Sequence, residues 1–103
     1  MSWHSLKIDG VAEIERSVGV FVVGPKRDDL PMRFRIKVLE RQDGTFLAHP
    51  EIAIKDKEGQ PDWVSGAGRT MEQALSSAFE MLLGSIAGKE PLTDASIWWD
   101  PRF

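Results

Sequence analysis

The sequence predicts an α+β fold, an antiparallel β-sheet of three or more strands packed on one amphipathic helix in the C-terminal half, at about 70–86. Three observations predict it. Arg33-Phe34-Arg35-Ile36-Lys37-Val38 alternates strictly, which puts Phe34, Ile36 and Val38 on one face of a half-buried strand. Met71, Ala74, Leu75, Ala78, Phe79, Leu82 and Ile86 recur at the three-four spacing of one helical stripe, a face that must be buried. Thr70 followed by Gln73 has the form of a capping box, so the helix starts there. A chain of 103 residues with 42% hydrophobic content fits one domain, 1–103, with one small core.

The elements follow in chain order. In the N-terminal extension, 1–31, the stretch from Leu6 to Arg16 is open between a strand pair turning at Asp9-Gly10 and a short helix, with the strand pair favoured. Val20-Phe21-Val22-Val23, ended by Gly24-Pro25, reads as a strand. The unit 32–86 then opens with a hairpin whose register can be derived. A two-residue loop at Asp43-Gly44 would pair Val38 with His49 and put the apolar sets of the two strands on opposite faces. A three-residue loop, Gln42-Asp43-Gly44, with Gly44 left-handed, instead pairs Val38 with Ala48, Ile36 with Pro50 and Phe34 with Ile52. Lys55 to Asp62 is polar and rich in breakers and reads as a loop, and a short strand at Trp63 to Ser65 leads into the helix. Gly84 or Gly88 can end the helix, and Pro91 forbids its continuation. The tail, 87–103, carries Trp98, Trp99 and Phe103, and so much aromatic surface is expected to dock on the domain or on a partner.

Composition narrows the class of function. There is no cysteine, which excludes disulfides and thiolate chemistry and fits a reducing compartment. No apolar run approaches the length of a membrane span, and Met1-Ser2-Trp3-His4 does not open a signal peptide, so the expected location is the cytoplasm. A net charge of -3 argues against a protein whose main task is gripping phosphate backbones.

Gly66-Ala67-Gly68-Arg69-Thr70 at a helix start could bind an anion, but its spacing matches neither the dinucleotide nor the P-loop fingerprint, and a capped strand-to-helix turn explains it. Arg33, Arg35 and Lys37 form a basic stripe on the outer sheet face, which with Arg69 is the candidate surface for an anion or nucleic acid. Glu51 opposite Arg35 supplies a counter-charge to part of it. His49 and Glu51 could give a metal two ligands, yet with His4 as the only other histidine no metal site is predicted. No serine sits in a nucleophile elbow, and Asp28-Asp29, Glu13 and Glu15 read as surface charges. The expectation is a protein with no catalytic residues, metal or cofactor. On a strand Trp98 and Trp99 point to opposite faces, so one of them stays available, and with Phe103 they form the expected anchor for a protein partner or a second copy.

Residues 32–86 read as strand, Asp-Gly turn, strand ending at Pro50, loop, short strand, Gly-x-Gly-Arg-Thr and amphipathic helix. This order resembles the partial RNase H-like fold of HicB-type antitoxins, with Gly68, Thr70, Ala74 and Leu75 matching the run that opens the family's helix. The resemblance implies a non-catalytic binder that covers the active site of a ribonuclease toxin. Many such antitoxins add a C-terminal DNA-binding segment, for which 87–103 shows no pattern, and the extension 1–31 also departs from the family. A second resemblance is to double-stranded-RNA-binding domains, in which three strands likewise precede a helix, and it implies a nucleic-acid-binding sheet. Those helices open with a lysine cluster, whereas here Arg69 is followed by the acidic Glu72.

Overall fold

A computed structural model of the chain describes residues 2–26, 33–87 and 92–103. The sequence readings of Asp28-Asp29, Gly88 and Pro91 lie outside these residues. Two antiparallel sheets pack with one helix. The first has the strand order β1-β2-β3-β6, with β1 at Glu15–Val23, β2 at Phe34–Arg41, β3 at Phe46–Pro50 and β6 at Gly66–Gly68. The second has the order β5-β4-β7, with β4 at Ile52–Lys55, β5 at Pro61–Asp62 and β7 at Ile97–Trp99. The helix, α1, spans Met71–Ile86.

The hairpin between β2 and β3 has the derived register, with Val38 opposite Ala48 and Ile36 opposite Pro50. Its loop is Gln42 to Gly44, closed by Arg41 and Thr45, and Gly44 is left-handed at φ 86°. Asp43 fastens the turn by accepting from both the N–H and the hydroxyl of Thr45, and that hydroxyl holds its carboxyl below the usual range. The expected pairing of Phe34 with Ile52 does not form. The chain bends at Glu51 and passes into the second sheet, where Ile52 pairs with Trp99. Ile52 nonetheless reaches the core, which joins Phe34, Ile36, Val38, Ala48, Ile52 and Ile54 to the buried helix face of Ala74, Ala78, Leu82 and Ile86.

Other expectations are corrected. Leu6 to Ile14 contains neither strand nor helix; the turn at Asp9-Gly10 is present, but the chain enters a strand only at Glu15. The stretch from Lys55 to Asp62 is a tight hairpin rather than an open loop, because the Asp56 carboxylate accepts from the N–H groups of Glu58 and Gln60 and lets β5 pair with β4. The strand before the helix is Gly66–Gly68, not Trp63 to Ser65. A Cβ at Gly66 would collide with the α1 backbone at Ala74 and Ala78, and one at Gly68 would lie 2.5 Å from the Gln73 Cβ. Only glycine lets β6 approach the helix so closely, which is why a strand forms from residues that usually weaken one. Gly84 lies inside α1 and does not end it.

Candidate functional site

The structure brings together two groups of residues that the sequence offered separately. β7 pairs with β4, setting Ile97 opposite Ile54, Trp98 opposite Ala53 and Trp99 opposite Ile52. Asp100 then donates its N–H to the Glu51 carbonyl, and the chain crosses onto the outer face of β2. There the Phe103 ring lies 4.8 Å from the Arg35 guanidinium carbon and 4.9 Å from Lys37 Nζ, which also donates to the Phe103 main-chain oxygen at 3.1 Å. The tail therefore covers part of the basic stripe.

Arg35 is further committed to Glu51, whose Oε2 accepts from Nη2 at 2.8 Å and whose Oε1 accepts from the Arg35 N–H at 3.0 Å. The hydrogen bond lowers the Glu51 pKa and raises that of Arg35. The counter-charge expected across the strands is in place. Arg33 is exposed before β2, and Arg69 follows β6, two strands away and beside the end of β2 remote from Arg33, so the four cations do not form one continuous stripe.

Trp98 and Trp99 alternate across β7 as the spacing requires. Trp98 lies on the face of Ala53, within 5.7 Å of Lys55 Nζ, and Trp99 on the face of Ile52. Because β7 is an edge strand, neither is covered: they remain 44% and 45% exposed. Both, rather than one, are available.

At the helix start the glycine-spaced run serves packing and capping. The Thr70 hydroxyl accepts from the Gln73 N–H at 3.1 Å, and Gln73 Oε1 accepts from the Arg69 N–H at 2.9 Å. The return bond of the expected capping box thus falls one residue before the cap. His49 lies on β3 opposite Lys37, and the Glu51 carboxylate is taken by Arg35; among the described residues no three histidine, aspartate or glutamate side chains gather as metal ligands.

Two features were missed by sequence reasoning. The first surrounds Glu40, the one buried charged residue among those described. Its Oε2 accepts from His4 Nε2 and its Oε1 from Arg16 Nη2, both at 2.6 Å, and these bonds, His4 first, hold its carboxyl below the usual range. Gln42 Nε2 donates to the carbonyls of Trp3 and Leu6, so the N-terminal segment is tied onto the end of β2, with the Trp3 indole N–H buried and unpartnered. A glutamate breaking an otherwise apolar alternation after Val38 was the available signal. The second is Trp63 and Met81, each about half exposed, which line one groove with Gly84. Met81 falls off the buried helical stripe, and that offset was legible.

Among the described residues no helix is long and apolar enough to cross a membrane. Comparison with known protein families, with curated proteins and with solved structures finds no match to this chain.

Proposed function

We propose that the protein is a small non-catalytic interaction module that binds a protein partner through the tail, with Trp98 and Trp99 as anchors. One observation carries this reading: two adjacent tryptophans stay nearly half exposed on a strand that is itself firmly paired. Aromatic anchors on a rigid element lose little conformational freedom on binding, and such residues dominate interface energies. The carboxylates with shifted pKa values support a non-catalytic role, since each has a structural task. Glu40 holds the N-terminal segment, Glu51 ties Arg35 at the bend, and Asp43 fastens the hairpin.

The likeness of 32–86 to HicB-type antitoxins suggests a ribonuclease as partner, and it rests on the order of elements together with Gly68, Thr70, Ala74 and Leu75. The test is to co-express the chain with the protein encoded beside it. Co-purification is expected, with suppression of that protein's RNA cleavage, and Trp98→Ala or Trp99→Ala should weaken both at least tenfold. Unchanged binding by both variants would overturn the tail as the contact. A second reading, nucleic-acid binding through Arg33, Arg35, Lys37 and Arg69, is disfavoured because Phe103 and Glu51 occupy the stripe. Binding of RNA or DNA that weakens steeply with salt and is lost in Arg35→Ala or Lys37→Ala would establish it instead.

A further inference from the structure

β1 is the outermost strand of the four-stranded sheet, and no described strand pairs with its far side. Which of its residues face that side follows from β2. Arg35 sends both main-chain groups toward Glu51, its N–H to the Glu51 carboxylate and its carbonyl to the Glu51 N–H at 2.8 Å. Main-chain groups alternate along an antiparallel ladder, so Phe34 and Ile36 face β1, and their partners Val23 and Phe21 face β2. Val20 and Val22 therefore direct their N–H and C=O groups out of the open edge. Their side chains, 51% and 57% exposed, lie on the outer sheet face, while Phe21, 38% exposed, lies on the helix face and leans over Gly19 of its own strand. From Ser17 to Val23 there is no charge and no proline, two of the usual protections of a sheet edge, and the one bulge lies before Gly19, outside Val20 to Val22.

We propose that this edge pairs antiparallel with the same edge of a second copy, about a two-fold axis at Phe21, which makes one continuous sheet from the two four-stranded ones. Two features of the strand select a second copy as the occupant. Val20-Phe21-Val22 reads the same in both directions, so the axis sets each Val20 opposite Val22 of the other copy and Phe21 opposite Phe21. The outward-facing valines become the hydrogen-bonded pairs, and the phenylalanines form the closer non-hydrogen-bonded pair between them. The second feature is charge. β1 has a bulge between Ser17 and Gly19, so Glu15 falls one step nearer the axis than its number suggests. At the other end the strand stops at Val23 and the chain bends at Lys26, so the acidic start of one copy's strand faces the basic exit of the other's. This surface is distinct from the tail, so it stands or falls independently of the ribonuclease reading.

The full chain in solution should sediment with twice the mass of one chain at micromolar concentration. Val22→Pro removes an N–H that points away from β2, and Val20→Lys places a charge on the same edge; each should weaken self-association at least tenfold while the circular dichroism spectrum is kept. Trp98→Ala should leave the dimer intact. The absence of native cysteine allows a test of register: Phe21→Cys should cross-link under oxidised glutathione, and Val23→Cys should cross-link at least fivefold less. A wild-type monomer at 100-micromolar concentration would overturn the proposal, as would a dimer unaffected by both edge variants, one lost with Trp98→Ala, or equal cross-linking at the two positions.

Discussion

β6 closes one side of the four-stranded sheet with three residues pressed against α1, whereas β1 forms the other side with nine and leaves Val20, Phe21 and Val22 exposed. The first edge is protected by being short and by having a helix backbone at van der Waals distance, which requires Gly66, Gly68, Ala74 and Ala78 to be small. The second has none of these protections and carries the symmetric apolar run. An edge closed by packing contributes to stability; one left open is available for pairing.

The closed edge is most sensitive at Gly66. Gly66→Ala would drive a methyl group into the backbone of α1, where no side chain can swing aside, and should cost about 3 kcal/mol in a denaturant melt. A loss below about 1 kcal/mol would mean that β6 and the helix can separate without consequence. Next in size is Thr70→Ala, which removes the acceptor for the Gln73 N–H and should cost about 1 kcal/mol. No measurable loss would show that the hydroxyl is not the effective cap. Gly84, by contrast, sits in the same helix with open space beside it. Gly84→Ala should stabilise by about 0.5–1 kcal/mol, because alanine gives up less backbone entropy in a helix interior. A destabilised variant would place an unseen neighbour on the Trp63 side of α1.

These glycines also show what was legible in the sequence and what was not. The β2-β3 hairpin could be read because loop length and apolar pairing allow only one register, and α1 because a three-four stripe and a cap agree on where it starts. β6 was misplaced because Gly-Ala-Gly has the composition of a loop, and its reason for being a strand lies in the helix it touches. The second sheet was missed for a different cause. Ile52-Ala53-Ile54 is apolar throughout, so it gives no alternation, and its partner Ile97–Trp99 lies beyond the whole helix in sequence. The same distance hid the contact of Phe103 with Arg35 and Lys37. At the candidate surface, the tryptophans were legible as residues and their joint exposure was not, since it depends on β7 being an edge.

The open side of the sheet has one further fastening, the attachment of the N-terminal segment through Glu40, and acid should release it. The Glu40 carboxyl is held below its ordinary value by the hydrogen bond from His4 and then by Arg16. A group whose folded pKa is lowered contributes stability that is present above its unfolded value, about 4.3, and is lost as pH falls through the folded one. Protonation removes the charge that draws both donors, and Trp3, whose carbonyl and ring are held beside this cluster by Gln42 and Arg16, should then move. The indole N–H signal of Trp3 in an NMR titration should hold through the ordinary carboxylate range and shift only as the pH falls below it, while Glu51 and Asp43, whose carboxyls are also lowered, titrate at other places. Glu40→Gln separates the causes, since it removes the charge at Glu40 alone. Its Trp3 signal should already lie near the acid position at pH 7, with the β2-β3 hairpin signals unchanged. A Trp3 signal that stays in its wild-type place in this variant would show that the segment is held by Gln42 and packing rather than by the buried carboxylate.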